Sequence, residues 1–268
     1  MKLPFIAAAA LAAFALCAGE KVRITDASGG GCDTLGRFAM TWAARKGLEL
    51  SVRKLDAEMA LEKLGAGDID LVLLKPEALP AGSGWRRRVC AYRALVAAVN
   101  VRNTVRSITR SQLKMLLTET RPAWSAVGGD GVDVHRYGVK TEDGKLFGAK
   151  ELNLFSAADE ILLLGTFAEA LLLAEADPAA LALGPYDPEL PERVTALAVD
   201  GAAPTRGNIR SGAYPLRETY SVVLGPAPSP AAKELFELLD TKEFYAMLEA
   251  DGLIPPAPAS EKRKELGR

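Results

Sequence analysis

Ser28-Gly29-Gly30-Gly31, followed by Asp33 and Thr34 at the start of a helical pattern, is a segment suited to holding an anion. An anion site needs backbone N–H groups aimed at one point, and a glycine-rich loop running into an exposed helix N-terminus supplies them. The hydroxyls of Ser28 and Thr34 can each donate a further hydrogen bond. Asp33 fits two roles, capping the helix or touching a solute. A dinucleotide is not the expected ligand, because Gly29-Gly30-Gly31-Cys32 lacks the G-x-G-x-x-G spacing. Catalytic chemistry has little to draw on. His135 is the one histidine, so any imidazole-based proton transfer would rest on it alone. Asp26 and Asp33 are paired carboxylates, yet no nucleophile elbow or helical metal motif accompanies them. An enzyme is therefore not expected, and no cofactor or metal is called for. Cys32 and Cys90 read either as a disulfide or as two buried small hydrophobes, and their spacing does not choose.

The elements that would position this loop follow the order of an open α/β sheet. Residues 21–26 alternate as a strand, the loop follows, and 33–45 carries Leu35, Phe38, Ala39 and Trp42 on one helical face ending before Gly47. A strand at 48–52, a helix at 57–64 and a near-continuously apolar strand at 70–74 complete a strand-helix-strand-helix-strand run. Arg86-Arg87-Arg88 reads as a solvated cluster ahead of a long extended run, 89–99. The pattern then predicts a helix from Thr109 through Leu117, a strand at 132–137, an exposed loop at 140–150 and a helix over 157–175 broken near Gly165. Strands at 180–183, 194–199 and 220–224 precede a helix that Ser229 caps and Pro230 opens.

The chain has 268 residues, 49% apolar and 25% charged, which is an ordinary globular balance. Its 33 lysines and arginines nearly cancel 34 aspartates and glutamates, so the basic excess of a nucleic-acid binder is missing. Residues 1–18 read as a signal peptide: Lys2 gives the charged start, Pro4 to Cys17 the apolar stretch, and Ala18 the cleavage position. The mature chain is thereby expected in the periplasm. Lipid anchoring at Cys17 is disfavoured, since Leu16 is large where such signals take a small residue.

Two longer segments carry a resemblance. Ser107-Ile108-Thr109-Arg110-Ser111-Gln112-Leu113 leading into Trp124-Ser125-Ala126-Val127-Gly128-Gly129, and Asn208-Ile209-Arg210-Ser211-Gly212-Ala213-Tyr214-Pro215-Leu216-Arg217, resemble signatures of the phosphate-binding, type II periplasmic solute-binding proteins. Ala182-Leu183-Gly184-Pro185-Tyr186 resembles the same family's buried strand, with a proline before the tyrosine. The resemblance implies an α/β, two-lobed periplasmic binding protein type II fold with mixed sheets flanked by helices. On that map residues 21–99 plus 205–255 form lobe 1, residues 100–204 form lobe 2, and 256–268 are a flexible tail. A small oxyanion such as phosphate would be held between the lobes and passed to the membrane subunits of an ABC transporter. Ser28 to Gly31, Asp33 and Thr34 match the first solute-contacting loop. Lys75 falls where the family places a second contact, as a flexible point charge. Arg136 and Thr141 fall where the family has an arginine and a serine-glycine-threonine turn. Thr141-Glu142-Asp143-Gly144-Lys145 replaces that turn here, and its two carboxylates oppose a dianion unless turned away. The alternative is an envelope scaffold or sensor of the same fold that has lost small-anion binding.

Overall fold

In the computed structural model, residues 20–30, 32–80, 83–154 and 160–258 are described. The expected signal peptide, Gly31 of the loop and most of the expected tail lie outside them. The chain divides into two compact units, the first made of the described residues up to Ala91 with 219–251 and 255–258, the second of 92–218 and 252–254.

The first unit is built around β1 (Lys21–Asp26), which pairs in parallel with β2 (Glu49–Lys54) on one side and β3 (Leu71–Leu74) on the other. The last strand of the chain, β11 (Arg217–Leu224), runs antiparallel to β3. All four residues of β3 are buried, as a covered parallel strand requires, whereas β2 is an edge strand with Glu49, Arg53 and Lys54 exposed to water. Helix α1 (Thr34–Lys46) buries Leu35, Phe38, Ala39 and Trp42, the face its spacing predicts. Gly47, left-handed at φ 66°, ends it by donating its N–H to the carbonyls of Ala43 and Ala44. Helix α2 (Ala57–Ala66) buries Ala60 and Leu64 against Val72, Leu74 and Val223. Removing Leu64 from water contributes about 2 kcal/mol.

The second unit takes the later part of β4 (Arg86–Asn100), which pairs antiparallel with β8 (Ala180–Pro185) and β9 (Val194–Ala196). Beyond β8 lie β6 (His135–Val139), parallel to β8, and then β7 (Leu162–Leu164), parallel to β6. Its core gathers Leu113, Leu116 and Leu117 of α3 (Arg110–Thr118) with Trp124, Leu181, Leu183 and Tyr214. Trp124 and Tyr214 each satisfy their polar atom on a carbonyl, of Ala179 at 2.9 Å and Leu95 at 2.7 Å. Burial pushes the Tyr214 phenol well up.

Three expected elements differ. Of the helix expected over 157–175 and broken near Gly165, residues 157–159 lie outside the described residues, the part before Gly165 contains β7, and the part after it is α4 (Phe167–Ala176), started by a reciprocal capping box of Thr166 and Glu169. The strand at 132–137 begins only at His135, since Asp133 bridges Ala123. The strand at 194–199 divides at Leu197, its first half pairing β4 and its second, β10 (Ala198–Val199), pairing β5 (Ser107–Ile108). Two helices went unassigned from periodicity: α5 (Arg206–Ser211) and, after α6 (Pro230–Leu238), α7 (Lys242–Ala250) with Phe244 and Leu248 buried.

Candidate anion-binding site

In the first unit the chain leaves β1 through α1 to reach β2, then crosses back through α2 to place β3 on the other side of β1. This reversal puts a switch point at the carboxyl ends of β1 and β3, the place where open α/β sheets receive ligands. The glycine loop leaves β1 at that edge and Lys75 leaves β3 beside it: Asp26 is level with Leu73, and the Ala27 N–H donates to the Leu73 carbonyl at 2.8 Å. The opposite ends of the two strands are tied by Arg23 and Asp70.

Gly29 and Gly30 have φ of 77° and 91°, and a Cβ on either would meet no atom within 4 Å. Glycine is required there by backbone conformation rather than crowding. Ser28 is buried, and its N–H and hydroxyl both donate to Asp26 Oδ1, at 2.9 and 2.6 Å. Asp33 stands at the N-cap position of α1 in a helical conformation and makes no capping bond; its carboxylate lies 3.4 Å from Lys54 Nζ. The side chains of Asp56, Thr109, Thr166, Thr205, Ser229 and Thr241 cap the other described α-helices, so α1 alone among the described α-helices starts without a side-chain cap. Its first-turn N–H groups thus keep their capacity for an external acceptor. Thr34, in that turn, donates its hydroxyl to Asp251, which also accepts from Arg37. That bond raises the Arg37 guanidinium pKa further. Lys75 is half-buried in an extended conformation ahead of Pro76.

Sequence reasoning missed both carboxylates on these hydroxyls. Asp26, two residues before Ser28, makes an Asx-turn, and the Asp-x-Ser spacing was its signal. Asp251 is far from Thr34 in the chain and left no local signal. A pocket of about 300 Å³ in this unit is lined by Leu79, Ser83, Trp85 and Arg87 and includes none of the loop residues.

In the second unit, Arg136 and Thr141 lie at opposite ends of β6, roughly 16 Å apart at the rise of an extended chain. Arg136 is 4% exposed. Its guanidinium donates to the carbonyls of Leu116 at 3.4 Å and Glu119 at 2.8 Å and pairs with Glu160 at 2.8 Å. It thus closes the C-terminal end of α3. Thr141 opens a self-contained turn: its hydroxyl accepts from the Lys145 N–H at 3.1 Å, its N–H donates to the Lys145 carbonyl, and Lys145 pairs with Asp143 at 2.7 Å. Those bonds, from Lys145 above all and then Thr141, hold the Asp143 carboxyl down at about 2. Cys32 and Cys90, both in the first unit, are buried thiols.

The architecture of two α/β units with mixed sheets flanked by helices is that of the two-lobed type II periplasmic binding fold, and solved structures agree. The chain is similar to the ABC-type phosphate transport receptor from Vibrio cholerae, at TM-score 0.64 and 17% identity over 88% of this chain and 100% of that one. It is similar to PstS from Borrelia burgdorferi, at TM-score 0.69 and 15% identity over 88% and 99%. A possible phosphate binding protein from Planctomyces limnophilus DSM 3776 matches at TM-score 0.74 and 17% identity over 92% and 96%. No protein-family model matches the chain, and no curated protein matches its sequence.

Proposed function

We propose that this chain is an exported solute-binding protein for phosphate or a related oxyanion, working in the periplasm with the membrane subunits of an ABC transporter. The observation that carries the reading is the edge of the first unit's sheet. There a strand-order reversal, two left-handed glycines and the one described α-helix without a side-chain cap coincide. Ser28, Gly29, Gly30, Gly31, Asp33, Thr34 and Lys75 are the proposed contact set. Arg136 and Thr141 are left out of it, since their polar groups are engaged within their own unit. The similar structures include a phosphate transport receptor and a possible phosphate binding protein, which supports the solute class. Asp26 sharpens it: a carboxylate at the end of β1, beside the loop, repels a fully ionised oxyanion and accepts a hydrogen bond from one that keeps a proton.

Calorimetric titration with phosphate, sulfate and molybdate tests this. Saturable heat with phosphate, lost in Gly30→Val, is the expected result; no heat with any oxyanion overturns the reading. A second reading, contact with a protein partner, is favoured by Leu162 and Leu172 of the second unit, 54% and 63% exposed.

A further inference from the structure

We propose that a cavity in the second unit binds a free α-amino acid with an apolar side chain, held as its zwitterion. The cavity, about 290 Å³, opens where β4 ends and β6 and β8 begin. One wall is Trp124, with Val132, Pro178 and Ala179 beside it. Trp124 is 1% exposed and its indole N–H is engaged by the Ala179 carbonyl, so the ring offers the cavity an apolar surface with no donor left over. The turn that carries Asp130 is packed onto the same residue. The Gly129 N–H donates to the Trp124 carbonyl at 2.9 Å, and a Cβ on Gly129 would stand 2.8 Å from Val105 Cγ2, so the turn sits too close for any larger residue there. On the far side of the chain's path, the Arg102 N–H is fixed by Asn100 Oδ1 at 2.9 Å.

The charges around the cavity select the ligand. Asp177 already serves the fold: its carboxylate accepts the Ala179 N–H at 2.9 Å and lies 2.6 Å from His135 Nδ1. The side chains of Arg102 and Asp130, which also line the cavity, have no partner among the described residues. A simple anion would meet two carboxylates against one guanidinium, and a simple cation would leave Arg102 unmatched and be repelled by it. A zwitterion satisfies both free charges, its carboxylate taken by the planar fork of Arg102 and its ammonium by Asp130. Asn103, 5% exposed, adds a donor. Its amide gives one hydrogen to the Pro178 carbonyl at 3.3 Å and its oxygen accepts the Val105 N–H at 2.9 Å, which leaves the second amide hydrogen for the ligand carboxylate. The ligand side chain then lies against Trp124. The volume is at the small end of small-molecule sites, the scale of leucine or phenylalanine rather than of a peptide.

The test is calorimetric titration of the purified chain, in buffer free of phosphate, with leucine, valine and phenylalanine, and with the two halves of leucine, isoamylamine and isocaproate. The expected result is saturable heat with at least one of the amino acids and, for each half-molecule, an affinity below that of leucine by about tenfold or more, the scale of one charge-assisted hydrogen bond at a partly exposed site. No saturable heat with any of the three amino acids overturns the proposal, as does either half-molecule binding as tightly as leucine. Arg102→Gln and Asp130→Asn, both at exposed positions, should each weaken the binding about tenfold. Unchanged affinity in either variant would place the amino acid elsewhere and overturn the site. Should a variant melt well below the unaltered chain, the comparison of leucine with its halves still decides. No oxyanion enters the titration, so its failure is separable from failure of the receptor reading.

Discussion

Asp70 receives Arg23 three times: the Arg23 backbone N–H at 2.9 Å, Nε at 3.1 Å and one terminal nitrogen at 3.2 Å. The Asp70 carboxylate is 2% exposed, and its bond raises the Arg23 guanidinium pKa further. The pair joins the amino ends of β1 and β3, the two strands whose carboxyl ends carry the candidate site. Asp70→Ala leaves a buried N–H and a partly covered guanidinium without their acceptor, at a cost of about 2 kcal/mol moderated by the exposure of Arg23. Urea denaturation checks this, and a change below about 0.5 kcal/mol would show the bonds to be replaced by water.

Asp251 sets the electrostatics of the α1 N-terminus. It draws in Thr34 and Arg37, so a negative group of the chain already faces the positive end of that helix. Asp251→Asn removes the charge and releases Arg37. The expected outcome is a gain of about three- to tenfold in oxyanion affinity, about 1 kcal/mol, since repulsion falls while the helix dipole remains. An unchanged dissociation constant in the same titration would place the anion away from α1.

The loop's place between β1 and α1 was legible because glycines, a helix start and the strand pattern are local signals, and α1 and β3 formed where their periodicity put them. What stayed illegible was partner choice. Nothing near Thr34 announces Asp251, and nothing in 132–137 announces that Arg136 turns to the carbonyls of α3. In the 157–175 stretch the break near Gly165 was legible, but the apolar Leu162–Leu164 ahead of it is a strand rather than helix, and the Thr166 and Glu169 capping box starts the helix after it. In α7, only Phe244 and Leu248 are buried, too short a stripe to stand out after α6.

The turn from Thr141 to Lys145 has its own pH signature. Asp143 is depressed from 3.8 to about 2 by hydrogen bonds from Lys145 and Thr141, and a depressed carboxyl favours the folded turn only when ionised. Its contribution is complete above the unfolded value near 3.8 and is lost as pH falls through about 2. Carboxyl and amide NMR shifts of Asp143 and Lys145 should therefore titrate together with a midpoint near 2. In Asp143→Asn, the Lys145 shift should lose that step; a midpoint near 3.8 in the unaltered chain would mean the turn is open in solution.

Arg136 separates a structural from a ligating arginine. Its terminal nitrogens hold the Leu116 and Glu119 carbonyls and the Glu160 carboxylate, and the cation sits at the negative end of α3. Arg136→Met removes the charge while filling much of the space, and leaves those buried carbonyls without a donor. The expected cost is about 2–4 kcal/mol of stability. Oxyanion affinity, measured by titration well below the lowered melting temperature, should stay within about twofold, less than half a kcal/mol. A stable variant whose affinity falls more than about tenfold, or ~1.4 kcal/mol, would return Arg136 to the solute and overturn its assignment as the closure of α3.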